Sequence, residues 1–238
     1  MSFGNLMNLS SEELKKGAIF SLVNAHELFG DAMILKCLRT SPRAYSLIQL
    51  SLEETAKSLI LFELSVHKRF VNVSPELKGT YAQRIRLANK ILKLHEEKST
   101  YAIEFVVVKL KEFIDSHPAD LPEDSHIRKS LVDLKNKIDD VPKLNERKNS
   151  SLYVSLEGNK FVHPNATISK DELHALDNFV YPLLKEAKNS ILTKDDDYYQ
   201  SLGLDPKKLY DMDPYHQSQR AHAFNVMEWN NEDKLRQP

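Results

Sequence analysis

Three short polar clusters carry residue types that can move a proton or bind a phosphate: Glu53-Glu54-x-x-Lys57, His95-x-x-Lys98, and the run Asn145-Glu146-Arg147-Lys148-Asn149-Ser150-Ser151-Leu152-Tyr153. An imidazole has an ordinary pKa close to neutrality and so serves as a general base or acid, which makes His95 the candidate proton-transfer group. Arg147 offers a planar fork that matches a phosphate in bidentate fashion, and Lys148 adds a point charge beside it. Lys98 would stabilise developing negative charge, Tyr153 would orient a phosphate or donate a proton, and Glu54 would orient His95 or Lys98. Lys57 and Asn149 complete the set as substrate-binding candidates. Each cluster also has a purely structural reading: an exposed Glu53/Lys57 pair at i,i+4, a satisfied core histidine, and a solvated loop.

Hydrophobic spacing shows which elements would hold these groups. Ile91, His95, Lys98, Ala102 and Phe105 fall at steps of four, three, four and three, which trace one face of a helix. Leu47, Leu50, Glu54, Lys57, Leu61 and Leu64 keep the same rhythm, so Glu54 occupies a stripe position where a leucine is expected. A buried carboxylate needs a partner. Two helices packed antiparallel, each with a polar pair at mid-length, would pool those pairs in one pocket.

The rest of the chain supports a helical frame. It has 238 residues, with only 6 glycines and 10 prolines, and long stretches rich in Leu, Ala, Lys and Glu favour an all-α protein. Thirty-three basic residues balance 34 acidic ones, so any nucleic-acid site must be local. The lone Cys37 excludes an internal disulfide and a cysteine-based zinc site, which fits a cytoplasmic location. No secretory signal or membrane span is read from the sequence, because windows such as Tyr101 to Leu110 are broken by charge. Helices are expected from Ser10 or Ser11 toward Leu38, from Pro42 to about Lys68, and from about Tyr81 to Asp115. Residues Phe70 to Thr80 read as a loop between the last two. A short helix over Ser125 to Ile138 should follow, and Ser169 should cap a last core helix running to about Leu192, kinked at Pro182. Glu157-Gly158-Asn159 reads as a turn. From Lys194 the chain changes character and reads as an arm with a short helix over Asp205 to Tyr210 and the only tryptophan, Trp229. The expected division is therefore a helical domain over 1–193 and an arm over 194–238.

Taken in order, Glu53-Glu54-x-x-Lys57, His95-x-x-Lys98 and Arg147-Lys148-Asn149-x-x-Leu152-Tyr153-Val154 resemble the AbiV family, bacterial abortive-infection proteins among the HEPN-like helical domains. The resemblance spans about Ser10 to Leu192 and does not cover the arm. It implies a HEPN-like bundle of about five helices, a homodimer, and an antiphage role. It further implies a metal-independent ribonuclease toxin with RNA as substrate, no cofactor, and a phage protein or cognate regulator as a further partner. Many such relatives carry an Arg and a His a few residues apart. Here Tyr153 follows Arg147 after five residues, and no arginine has a histidine at that spacing. A phenol has an ordinary pKa of about 10 and is a poor base at neutrality.

Two other classes stay open on the residues alone. One is a non-catalytic dimeric module that binds a phage or host protein, with the polar pairs fixing helix register and the aromatic arm as contact surface. The other is a carboxylate-bridged metal bundle, for which the chain offers a single Glu-x-x-His, Glu123 to His126, where two are needed.

Overall fold

Helix α1 (Ser11–Cys37) opens with a capping box. The Ser10 backbone N–H donates to Glu13 Oε2 at 3.1 Å and the Glu13 N–H donates to Ser10 Oγ at 3.0 Å, so two orphan donors at the helix start are satisfied reciprocally. In this computed structural model the described residues are 6–38, 40–116, 141–153, 155–157, 160–164 and 167–212. The helix expected over Ser125 to Ile138, the Glu123–His126 pair, the turn residues 158 and 159, and Trp229 lie outside them.

The protein is all-α. After α1 come α2 (Ser41–Val73), a 3-10 turn (Pro75–Leu77), α3 (Lys78–Lys93), α4 (His95–Ser116) and α5 (Val141–Leu152). A two-stranded hairpin, β1 (Ser155–Glu157) antiparallel to β2 (Lys160–Val162), leads to α6 (Lys170–Ile191), α7 (Asp196–Ser201) and α8 (Pro206–Tyr210). Helix α6 continues past Pro182 to Ile191.

Three sequence expectations need correction. Helix α2 runs on to Val73, and α3 starts at Lys78, so most of the expected loop over 70–80 is helical. The third helix is two helices: Leu94 is extended (φ −111°, ψ 132°), closes α3 as its C-cap, and accepts from the Lys98 N–H of α4 at 3.3 Å. No Gly or Pro marks this break, so a stripe that continues in phase across Leu94 reads as one rod. The Arg147 cluster lies on α5 and not in a loop, with Pro142 near the helix start where its missing N–H costs nothing.

The chain divides into two interleaved compact units. The described parts of the first come from residues 1–22, 52–146 and 183–192, and those of the second from 23–51, 147–182 and 193–238. In the first, α1 and α2 approach so closely that a Cβ at Gly17 would stand 3.2 Å from Leu61 Cδ1. Ser11 Oγ donates to the Ser65 carbonyl at 2.8 Å. Glu63 of α2 ties down both following helices, accepting from Arg84 of α3 and from the Tyr101 hydroxyl of α4 at 3.0 Å. That carboxylate and the burial of the phenol push the Tyr101 pKa up, burial contributing most.

In the second unit, Ser51 Oγ of α2 donates to the Ala25 carbonyl of α1 at 2.7 Å, and Phe29 of α1 meets Tyr181 of α6. Lys36 of α1 lies 2.5 Å from Asp177 of α6, a carboxylate that is 1% exposed. Residues 193–212 belong to this unit. Tyr199 is fully buried, its hydroxyl donates to the Thr193 carbonyl at 2.7 Å, and Tyr210 meets it edge-on at 5.9 Å. The helix expected at Asp205 to Tyr210 is present, with Asp205 as N-cap and Pro206 at its first turn.

Among the described helices α1 alone is long and apolar enough to cross a membrane, a segment the sequence reading passed over. Its stripe of Leu14, Ala18, Leu22, Ala25, Phe29 and Ala32 is wholly buried inside the protein, as in a core helix.

Candidate functional site

The first unit holds a polar cluster at the start of α4. Helix α4 begins at His95, so His95 and Lys98 stand on its first turn together with Glu96 and Glu97. A helix N-terminus disfavours cations, and the anion that faces these two comes from α2. Glu53 Oε2 is hydrogen-bonded to His95 Nδ1 and lies 3.4 Å from Lys98 Nζ. Glu53 is 2% exposed, whereas the His95 side chain is 55% exposed. One buried oxygen therefore holds two basic groups, and no other described residue engages His95 Nε2.

The partner carboxylate is thus Glu53 and not Glu54. Glu54 pairs with Lys57 one turn along the same helix, at 3.1 Å and with both side chains about one-fifth exposed. The expectations for the two glutamates are exchanged: the pair read as exposed contains the buried carboxylate, and the stripe position holds the partly exposed one. Helix α2 is buried on nearly every face between Ala44 and Leu61, so no single stripe distinguishes inside from outside there.

The second unit holds another cluster, built around Arg147 of α5. Its NH1 donates to the Thr167 carbonyl at 3.1 Å, and its NH2 lies 3.2 Å from Glu172 Oε1. Glu172 also closes the capping box of α6: its Oε2 accepts from the Ser169 N–H at 2.9 Å and hydroxyl at 2.8 Å, and the Glu172 N–H donates back to Ser169 Oγ at 3.1 Å. Burial acts to raise the Glu172 pKa, but the two Ser169 bonds and the Arg147 charge outweigh it and hold the carboxyl below its ordinary range. Tyr45 of α2, 3% exposed, completes the cluster. Burial, with the Glu172 charge adding to it and Arg147 opposing, pushes its phenol up to about 12.

The other residues of this segment separate. Lys148 is 5% exposed, so it is not the solvent-facing point charge expected, and its carbonyl accepts from Ser46 Oγ at 3.4 Å and Ser151 Oγ at 2.7 Å. Asn149 is exposed, and Tyr153, 66% exposed, follows the last turn of α5. No described contact joins Tyr153 to Arg147. Glu172, Thr167 and Tyr45 were not singled out from sequence; the Ser169-x-x-Glu172 capping box is legible there, but not its link to Arg147.

The structure thus offers an acid–imidazole pair on α2 and α4 and an engaged arginine on α5. The sequence model of the AbiV family, a HEPN-type group, matches residues 13–184. The chain belongs to the AbiV family. No curated protein and no solved structure matches it. In this AbiV member the matched span covers α1 to α5 and ends within α6, so both polar clusters fall inside it.

Proposed function

We propose that this AbiV protein is a metal-independent endoribonuclease of abortive infection, acting as a homodimer and brought into play by a phage protein or a cognate regulator. The observation that carries the reading is the Glu53–His95 pair: a buried carboxylate on Nδ1 and an imidazole more than half exposed. A carboxylate at Nδ1 fixes the tautomer whose Nε2 lone pair faces outward, the arrangement a general base requires. In the proposed reaction Nε2 takes the proton of a ribose 2′-hydroxyl, and the resulting oxygen attacks the adjacent phosphorus. The P–O5′ bond breaks, leaving a 2′,3′-cyclic phosphate and a 5′-hydroxyl that takes up a proton. Lys98, sharing the Glu53 oxygen, supplies positive charge beside the base. Arg147 is the phosphate-binding group of the second cluster, through guanidinium donors that Thr167 and Glu172 leave over.

The test is total cellular RNA incubated with purified protein in EDTA, alone and with infected-cell lysate, alongside His95→Ala and Arg147→Ala variants of checked fold. The wild type cleaves, and His95→Ala lowers the rate by about 10²- to 10⁴-fold, the usual contribution of a general base. Full cleavage by both variants overturns the assignment.

One observation favours a second reading. The Arg147 fork is already engaged by the Thr167 carbonyl and the capping glutamate, as it would be in a structural tie between α5 and the start of α6. On that reading the protein is a non-catalytic binding module. Arg147→Ala then lowers thermal stability, and the wild type stays inert toward RNA even in infected lysate.

A further inference from the structure

Helix α3 carries charge of one sign only. Its 16 residues include Lys78, Arg84, Arg86, Lys90 and Lys93 and no carboxylate, in a chain whose formal net charge is −1. Every other described helix of eight residues or more holds at least one Asp or Glu. A basic stripe within a balanced chain is the footprint expected of a polyanion site.

The five cations are not equivalent. Arg84 is engaged by Glu63 of α2, and Lys90 Nζ lies 2.9 Å from Glu97 Oε1 on the first turn of α4. Arg86 and Lys93 are exposed, and no described residue pairs with either. Tyr81, Ile85, Ala88, Ile91 and Leu92 are the buried side of α3, so the steps of four and three from Arg86 to Lys90 to Lys93 place these cations together on its outer face. Arg86 sits at mid-helix, where a cation gains nothing from the helix dipole. Leu87 on the same face and Leu94 at its end are 58% and 50% exposed. Lys93, the last residue of α3, stands two positions before His95, whose side chain is 55% exposed. The row of cations therefore leads to the proposed base.

Arg86 to Lys93 covers about 10 Å of helix axis. A stacked strand carries one phosphate per roughly 3.4 Å, so the row matches about three successive phosphates. The exposed leucines offer apolar surface to bases or riboses turned toward the protein. A lipid surface fits less well, because the broad apolar face of α3 is buried in the protein and is not there to insert.

We infer that the outer face of α3, through Arg86, Lys90 and Lys93, holds the backbone of single-stranded RNA next to the bond on which His95 acts. RNA as the ligand rests on the ribonuclease reading, whereas the binding itself is independent of cleavage. Glu97 competes with the RNA backbone for Lys90.

The test is fluorescence anisotropy of a labelled single-stranded 2′-O-methyl RNA titrated with the full chain across a salt series. This probe lacks the 2′-hydroxyl that the proposed cleavage consumes, so binding is read whether or not the protein cleaves. The wild type is expected to bind, with log affinity falling linearly in log salt. The double variant Arg86→Gln, Lys93→Gln binds more weakly, and its slope is shallower by about 1.4, two single-strand phosphate contacts at about 0.7 each. Glu97→Gln releases Lys90 and tightens binding, a change opposite in sign. Lys207→Gln with Lys208→Gln removes the same charge from two exposed positions on α8 and leaves the slope at its wild-type value. Because all four cations replaced are exposed, both double variants keep a melting temperature close to that of the wild type. No binding at low salt, an unchanged slope in the α3 variant, an equal loss in the α8 variant, or Glu97→Gln without tighter binding overturns the inference. Binding with these dependences by a protein inert toward RNA would overturn the nuclease reading and leave the α3 face standing; cleavage with an unchanged slope would do the reverse.

Discussion

Two adjacent glutamates with the same side chain meet opposite fates. Glu53 is 2% exposed and holds His95 and Lys98, while Glu54 makes only a partly exposed pair with Lys57. Removing the anion from a buried charge pair costs far more than breaking an exposed one. Glu53→Gln should therefore lower unfolding free energy by on the order of 3 kcal/mol, and Glu54→Gln by about 0.5 kcal/mol or less; urea denaturation of the two variants measures both. The Ser169 cap gives a second pair of expectations. Ser169→Ala should cost about 1 kcal/mol. The Glu172 carboxyl has a folded pKa below its ordinary 4.5. The stability it contributes is therefore fully present above that ordinary value and is lost as pH falls through the folded one. The melting-temperature gap between wild type and Glu172→Gln should be full at pH 7 and vanish in acid.

Elements were legible where local chemistry marks their ends. The Ser10–Glu13 and Ser169–Glu172 boxes and the Asp205-Pro206 start all appear in the structure at the positions their residues specify. The α3–α4 break at Leu94 has no such mark. An extended residue between two helices in phase is set by how each packs on α2 through Arg84, Tyr101 and Glu53. The α5 cluster misled for a different reason: Asn, Ser and charged residues favour loops by composition, yet Ser46 and Ser151 join across α2 and α5 and satisfy hydroxyls inside a helix pair. The tie between α1 and α6 is testable at this scale. Lys36→Met removes the cation beside the buried Asp177 and should destabilise by about 3 kcal/mol, read as a lower urea midpoint at unchanged slope.

Across the whole molecule, the two compact units interleave along the chain, and residues 193–212 belong to the second. A fully buried Tyr199 bonded to the Thr193 backbone is a core contact, and large-to-small changes at buried aromatics cost about 3–5 kcal/mol. Ending the chain after Leu192, or making Tyr199→Ala, should lower the melting temperature measurably; an arm independent of the core would leave it unchanged.

Composition, helical period and capping residues suffice for the all-α class, and short motifs supply the residue types available for chemistry and the resemblance to the AbiV family, because each depends on neighbours within a few positions. Which carboxylate faces His95, which partner holds Arg147, and which way Lys148 turns depend on residues separated by 42, 25 and 102 positions. Local sequence does not encode those distances. Helix α2 shows why most plainly: it is buried on almost every face, so its period cannot rank Glu53 against Glu54, and only the packing of α4 against it makes one an anchor and leaves the other at the edge.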